Sequence, residues 1–366
     1  MRVFLYFRSR MNHELYIKRC FDLAQLAKGN TAPNPMVGAV LAHNDRVIGE
    51  GWHKEYGKAH AEVNCINSVA ETDKYLIPES TMYVNLEPCA HYGKTPPCAL
   101  RIVEEKIKAI VLSNTDPYEK VSGRGIDILH QNNVTVTTRI LEKEGLWLNR
   151  RFFCFHQQKR PYIILKWAQT KEGFFAPPDR SRFQISNKHS QSLSHKWRTE
   201  EAAIIVGYNT ALYDNPQLTA RQWTGKQPLR IVFDRNLQLP QTHHIFKPGS
   251  PTWVINQQKE ERDGHLHYVQ LDFDEKLLNR LMQQLYNANI ISVIVEGGAA
   301  LLDNLIDHGL WDEARIFTAP SSLENGIAAP ILGNADNAFE TELDGDRLNI
   351  YTKKQTPYAY VQGMQL

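Results

Sequence analysis

No apolar run near the N-terminus of this sequence is long enough to cross a membrane. Val3-Phe-Leu-Tyr-Phe7 ends after five residues at Arg8, short of a spanning helix and of a signal-peptide core. Net charge is scarce as well. The formal balance is +2 with the basic residues dispersed, which leaves no electrostatic footprint of a nucleic-acid binder. Cysteine is scarce and odd in number, 5 in all, which argues against a disulfide framework. Internal repeats and low-complexity segments are lacking. What remains is an ordinary globular composition, cytoplasmic by default, with no membrane or nucleic-acid partner expected. Met11 is an alternative start to Met1.

The 366 residues are enough for about two domains. Periodicity predicts a helix over 13–28, strands at 37–42 and 46–52, a helix over 62–70 and a strand at 81–86. A helix then opens at Pro96-Pro97, followed by strand 107–113, helix 125–131, strand 134–138 and helix 141–153. A polar stretch, His156-Gln-Gln-Lys-Arg-Pro161, serves as a linker. The second half restarts with strand 162–168, with further strands at 203–206, 229–233, 252–255, 291–296 and 313–319. Helices are expected over 188–200, 274–288 and 299–308. Strands alternating with helices make both halves α/β, and the division is placed between residues 1–155 and 156–366.

Chemistry concentrates in His60-Ala-Glu62 and in Pro88-Cys89, followed by Cys98. One imidazole and two thiolates suit zinc, and a catalytic zinc keeps a fourth position for water. Glu62 is spare as a ligand and free to move a proton. The His-x-Glu … Pro-Cys … Cys pattern is that of zinc-dependent base deaminases, in which hydroxide attacks an amino-bearing ring carbon. A structural zinc site would need a fourth ligand, for which Cys65 and His91 are the nearest candidates. Cys20, Cys65 and Cys154 read more simply as buried small apolar residues. Because i and i+2 diverge around a helix, His60 and Glu62 can share a site only if His60 stands at the helix entry.

Eight residues separate the two cysteines, and Glu87-Pro-Cys-x-His-x-Gly-Lys-Thr-Pro-Pro-Cys98 resembles the deaminase half of the bifunctional riboflavin-biosynthesis deaminase–reductases. So do Pro33-Asn-Pro-x-Val-Gly38, His60-Ala-Glu62 and Asp116-Pro … Gly123-Arg-Gly125. The resemblance continues through Asp214-Asn-Pro-x-Leu-Thr-x-Arg221, Pro228-x-Arg-Ile-Val-x-Asp234 and Glu296-Gly-Gly298. It implies a cytidine-deaminase-like three-layer domain, then a dihydrofolate-reductase-like α/β domain. The implied reactions are deamination of 2,5-diamino-6-(5-phosphoribosylamino)pyrimidin-4(3H)-one, then reduction of the product's ribose to ribityl by NADPH. A homo-oligomer through the reductase domain is also implied.

Roles carried over by the resemblance fall on matching positions. Asn34 would pair with the pyrimidine edge, or simply close its loop as an Asx turn. His91 and Lys94 would meet the substrate phosphate, although a loop lysine can equally be solvated. In the second half, Arg198, Leu218, Arg221 and Glu296 match substrate positions. The arginines suit a bidentate phosphate contact but also surface ion pairs. Ala168, Thr210, Asp214, Gly297, Gly298, Ala299 and Ala300 match cofactor positions, with Lys166 facing the same cleft. Glycines at a helix start admit a phosphate, and they equally make a tight strand–helix turn.

The pattern departs in three places. Ala90 replaces the usual Ser. Thr170-Lys-Glu-Gly173 replaces Ser-Leu-Asp-Gly, and Arg182-Phe-Gln-Ile-Ser186 puts Gln184 where a Trp could pack on the cofactor. The last two motivate an alternative in which the second half is a non-catalytic oligomerisation or substrate-holding module.

Overall fold

The computed structural model describes residues 12–90, 92, 96–119, 121–181 and 183–364. The chain forms two compact units, one of residues up to Asn149 joined by the C-terminal residues from Gly363, the other Arg150–Gln362. The expected division after residue 155 lies inside a helix of the second unit, and the local bonding explains the shift. The Asn149 side chain is committed to the first unit, where it accepts from the Met36 N–H (2.8 Å) and donates to the Met36 carbonyl (2.9 Å). Arg150 and Arg151 pair with Glu313 and Glu201 of the second unit.

In the first unit, α1 (His13–Gln25) leads to the antiparallel pair β1 (Gly38–His43) and β2 (Arg46–Trp52). Then come α2 (Ala61–Asn67), a 3₁₀ stretch Glu71–Glu79, β3 (Thr81–Leu86), α3 (Cys98–Glu104), β4 (Ala109–Asn114), α4 (Arg124–Gln131), β5 (Thr135–Thr137) and α5 (Glu142–Leu148). The sheet order is β2-β1-β3-β4-β5, with β3, β4 and β5 parallel. Both faces are apolar because side chains alternate along each strand. Val40, Ala42, Tyr83 and Val111 point into a core with Ile17, Cys20 and Phe21 of α1. Leu41, Met82, Val84, Ile110 and Leu112 point the other way, onto Cys65 of α2, Ile102 of α3 and Leu129 of α4. Helices on both faces make three layers.

The second unit begins with α6 (Arg150–Gln158), β6 (Tyr162–Thr170), β7 (Phe174–Ala176), α7 (Lys188–Glu200), β8 (Ala203–Val206) and α8 (Tyr208–Asp214). It continues with β9 (Leu229–Phe233), β10 (Thr252–Asn256), β11 (Glu261–Asp263), β12 (Leu266–Gln270), α9 (Leu277–Asn287), β13 (Ser292–Val295) and α10 (Ala299–Asp307). It ends with β14 (Glu313–Ala319), β15 (Ile327–Ala328), β16 (Ala335–Leu343) and β17 (Asp346–Lys353). Ten strands form one sheet, β11-β12-β10-β9-β8-β13-β6-β14-β17-β16, parallel from β12 to β14. Ile163, Leu165, Ile205, Ile231, Val293 and Val295 line one face against Leu281 and Leu285 of α9 and Leu302 and Leu305 of α10. The C-terminal ends of β6, β8 and β13 therefore open at one edge, the usual place for a ligand crevice in a parallel sheet.

Candidate active sites

In the first unit, β3 delivers Cys89 three residues past its end, and α2 and α3 deliver the other two ligand candidates. His60 is the N-cap of α2 with an extended backbone (φ −74°, ψ 168°). It therefore stands before helical geometry begins, as its spacing from Glu62 requires. Cys98 is the first residue of α3, behind Pro97. His60 Nδ1 lies 3.5 Å from Cys89 Sγ and 3.4 Å from Cys98 Sγ, and the three ligand atoms all fall within 4.8 Å of one another. Ordinary Zn–N and Zn–S bonds at tetrahedral angles demand an N···S edge of about 3.5 Å, so the residues fit zinc. The Cys98 N–H also donates to Cys89 Sγ (3.2 Å). Hydrogen bonds from the Cys98 thiol and from His60 hold the Cys89 thiol well below its ordinary value, against the opposing effect of burial.

Among the described residues, no fourth ligand joins this group. Cys65 is buried in the core on α2, and His91 and Lys94 lie outside the described residues. Glu62 is buried, with one carboxylate oxygen lacking any hydrogen-bond partner. Burial pushes its carboxyl up, partly opposed by His60. A buried carboxyl beside an open ligand position, with one oxygen unpartnered, is placed to accept and return a proton.

Asn34 is held by bonds that the sequence did not announce. Its amide Nδ2 donates to His53 Nε2 (3.2 Å), while His53 Nδ1 donates to the Ala59 carbonyl (3.1 Å). The His53 ring stands edge-on to that of His60, 5.3 Å between centroids. Because the Ala59 carbonyl can only accept, His53 is protonated on Nδ1 and accepts on Nε2. That fixes the Asn34 amide, leaving its Oδ1 as the outward acceptor. The side chain thus reaches another residue and does not close an Asx turn. Asn85 holds the same loop from β3, accepting from Gly38 N–H (2.7 Å) and donating to the Met36 carbonyl (3.0 Å).

Glu87 was also without an expected role. It is buried and accepts from four backbone amides, those of Asp116, Gly123, Gly125 and Ile126, at 3.0–3.4 Å. Burial raises its carboxyl, and the four N–H groups act against that.

The second unit carries a cavity of about 910 Å³ at the strand ends. Of the positions singled out by sequence, Lys166, Ala168, Thr210, Asp214, Glu296, Gly297, Gly298, Ala299 and Ala300 line it. Arg198, Leu218 and Arg221 are not part of that lining. Arg198 instead forks onto Glu296 (2.8 and 2.6 Å) and donates to the Thr219 carbonyl (3.0 Å), so it is not a surface pair. Lys166 Nζ lies 3.8 Å from Glu296. Leu218 is buried in a left-handed conformation (φ 55°), and Arg221 is exposed.

Gly297 (φ 111°) and Gly298 (φ 85°) turn the chain from β13 into α10, where a Cβ on either would come 3.4–3.5 Å from Thr210 Oγ1. The turn is tight, and the first residues of α10, whose amides have no intrahelical partner, line the cavity. Gln184 lines the cavity and donates to the Ser186 carbonyl (3.0 Å). Its neighbour Phe183 and, from β7, Phe175 bring aromatic surface to the same wall.

Residues 10–114 match the cytidine and deoxycytidylate deaminase zinc-binding region, and residues 161–336 match the RibD C-terminal domain. The riboflavin biosynthesis protein RibD of Aquifex aeolicus is 36% identical over 323 residues, 87% of this chain and 90% of the relative. That of Bacillus amyloliquefaciens is 34% identical over 328 residues, 87% of each chain. A solved structure from Thermotoga maritima, a diaminohydroxyphosphoribosylaminopyrimidine deaminase/5-amino-6-(5-phosphoribosylamino)uracil reductase, superposes with a TM-score of 0.85 at 30% identity. It covers 93% of this chain and 98% of that one. With a zinc-binding deaminase domain in its first unit and a reductase domain in its second, the chain belongs to the RibD family of bifunctional riboflavin-biosynthesis enzymes.

Proposed function

We propose that the first unit deaminates 2,5-diamino-6-(5-phosphoribosylamino)pyrimidin-4(3H)-one and that the second reduces the ribose of the product with NADPH. The observation that carries the first step is the close-set His60, Cys89 and Cys98 beside a buried Glu62 with an unpartnered oxygen. Zinc held by those three residues supplies Lewis acidity and lowers the pKa of a water. Glu62 takes one proton from that water and delivers it to the ring nitrogen, then takes the hydroxyl proton of the ring-carbon adduct and delivers it to the amino group, which leaves as ammonia as the carbonyl forms. Asn34, with its amide oriented by His53, presents Oδ1 to an N–H donor on the pyrimidine edge. His91 and Lys94 are assigned to the phosphate, a contact for which lysine is competent.

In the second unit, NADPH supplies the hydride. Thr210, Asp214, Ala168 and the 297–300 turn are assigned to the cofactor, with the diphosphate at the start of α10. Glu296, oriented by Arg198 and Lys166, meets the substrate with Leu218 and Arg221. Five free cysteines suit a reducing cytoplasm, and among the described residues no helix is long and apolar enough to cross a membrane. The second unit's sheet ends on β16, and such an edge favours pairing with another copy, so a homo-oligomer is assigned to this unit. Measuring ammonia release and NADPH oxidation on one sample tests the pair of reactions. Ammonia without NADPH oxidation would overturn the second half of this reading.

A further inference from the structure

Arg230 sits on β9, is 2% exposed and has five N–H donors. All five are used, and none on a charged group. Nε donates to Thr252 Oγ1 (2.9 Å), Nη1 to the carbonyls of Gln217 (3.4 Å) and His244 (3.3 Å), and Nη2 to those of Lys247 (2.9 Å) and Ser250 (3.0 Å). Burial lowers its pKa with no opposing carboxylate, yet a guanidinium stays charged. A buried charge with only neutral partners is costly, and a staple between strands could be made from neutral groups. What a guanidinium adds is a planar fork that gathers several carbonyls from different segments at one point.

One of those segments is 215–221. Asn215 (φ 42°) and Leu218 (φ 55°) are both left-handed, a conformation that asparagine tolerates but leucine adopts only when held. The holding bonds come at almost every second residue. His244 donates from its backbone N–H to Asn215 Oδ1 (2.8 Å) and from Nδ1 to the Asn215 carbonyl (3.0 Å). Arg230 takes the Gln217 carbonyl, Arg198 the Thr219 carbonyl (3.0 Å), and Gln227 Oε1 accepts from the Ala220 N–H (2.8 Å). Arg230 also holds the His244 carbonyl, so it grips the segment both directly and through His244.

We infer that Arg230 is a positioning residue for the reductase reaction: it fixes the 215–221 segment so that Leu218 and Arg221 meet the phosphoribosyl substrate. The inference rests on the reaction proposed above. Its test uses the full chain as wild type, Arg230→Lys and His244→Phe. Lysine keeps the charge but loses the fork, and phenylalanine removes only the ring bond to Asn215.

With 5-amino-6-(5-phosphoribosylamino)uracil as substrate, Arg230→Lys is expected to raise KM about tenfold while kcat and the KM for NADPH move less than about threefold. His244→Phe should shift the same KM in the same direction by a smaller factor. Ammonia release in the first unit should stay unchanged in both. Amide exchange across 215–221 should accelerate about tenfold while α9 and β13 keep their protection. A variant with wild-type KM and a reduced active fraction would show Arg230 to be merely structural and would overturn the inference, as would unchanged exchange at 215–221. If the wild-type chain itself does not oxidise NADPH with this substrate, the assigned reaction falls and takes the substrate role with it. The exchange arm would still report separately whether Arg230 holds the segment.

Discussion

The Gly125 N–H donates to Glu87 Oε1 at 3.0 Å, and a Cβ added at Gly125 would sit 2.1 Å from the Pro88 carbonyl oxygen. The start of α4 is thereby pressed against the turn that presents Cys89. No side chain fits between them, because the obstructing atom is backbone and cannot swing aside.

Gly125→Ala is therefore expected to displace the Pro88–Cys89 turn, and an error of about 1 Å at a reacting centre can cost about a hundredfold in rate. Ammonia release should fall by that order and zinc content should drop, while NADPH oxidation is unchanged. Equal deaminase activity in the variant would show that the turn tolerates the shift. Glu87→Gln loses a charged acceptor for four amides and should destabilise the first unit by about 1–3 kcal/mol in urea unfolding.

Asn34→Asp tests the tautomer chain from Ala59 through His53. The change puts a carboxylate oxygen where His53 Nε2 needs a donor, and burial already pushes the His53 pKa down. The expected outcome is a rise of about tenfold or more in the deaminase KM with zinc content intact. Asn34→Asp with wild-type KM would mean that the amide oxygen does not face the substrate.

Glu62→Gln is close to isosteric but cannot accept the water's proton. Loss of a general acid–base group costs about 10²–10⁴ in rate, so ammonia release should fall by that factor while zinc stays bound at one equivalent. Zinc removal by a chelator should abolish ammonia release and leave NADPH oxidation largely intact. Retained deamination in Glu62→Gln would show that another group carries the proton.

Burial alone would raise the Glu296 carboxyl, but Arg198 and Lys166 outweigh it and hold the group at about 2. A depressed carboxylate stabilises the fold fully above its ordinary value of about 4.3, and that contribution is lost as pH falls through the folded value. The urea midpoint of the second unit should thus decline between about pH 4.5 and pH 2. Glu296→Gln leaves Arg198 buried without its partner, a loss of roughly 3 kcal/mol or more at neutral pH, and should make the acid limb shallower, the remainder coming from Glu201 and Glu313, which are depressed too. A wild-type-like acid limb in this variant would show that other carboxylates set it.

Several elements were legible residue for residue. Strands 81–86, 203–206, 229–233 and 313–319 and helix 188–200 stand where periodicity places them. The strands are short apolar runs with polar ends, and the helix has Asn187 as a capping acceptor for the Ser190 N–H (3.0 Å). The expected helix 141–153 is two, because Asn149 ends the first turn-run to reach Met36. The 3₁₀ stretch Glu71–Glu79 has no period to read and contains Pro78. β16 and its partner β17 were both missed, and the side chains of β16 are largely polar or exposed. The close-set group of His60, Cys89 and Cys98 was legible since few residue types bind zinc, and their spacing repeats that restriction. His53, Asn85, Glu87 and Arg230 were not, because an isolated polar residue carries no sign of which distant carbonyl or amide it will meet.

Asn149 and Arg150 are neighbours whose side chains are committed to different bodies, one to Met36 and the other to Glu313. The chain therefore passes from one unit to the other between two residues whose side chains are both engaged. Length variation accumulated over descent should gather in exposed turns such as Asp344–Gly345 and spare this seam, because one residue more or less would strand an amide or a guanidinium.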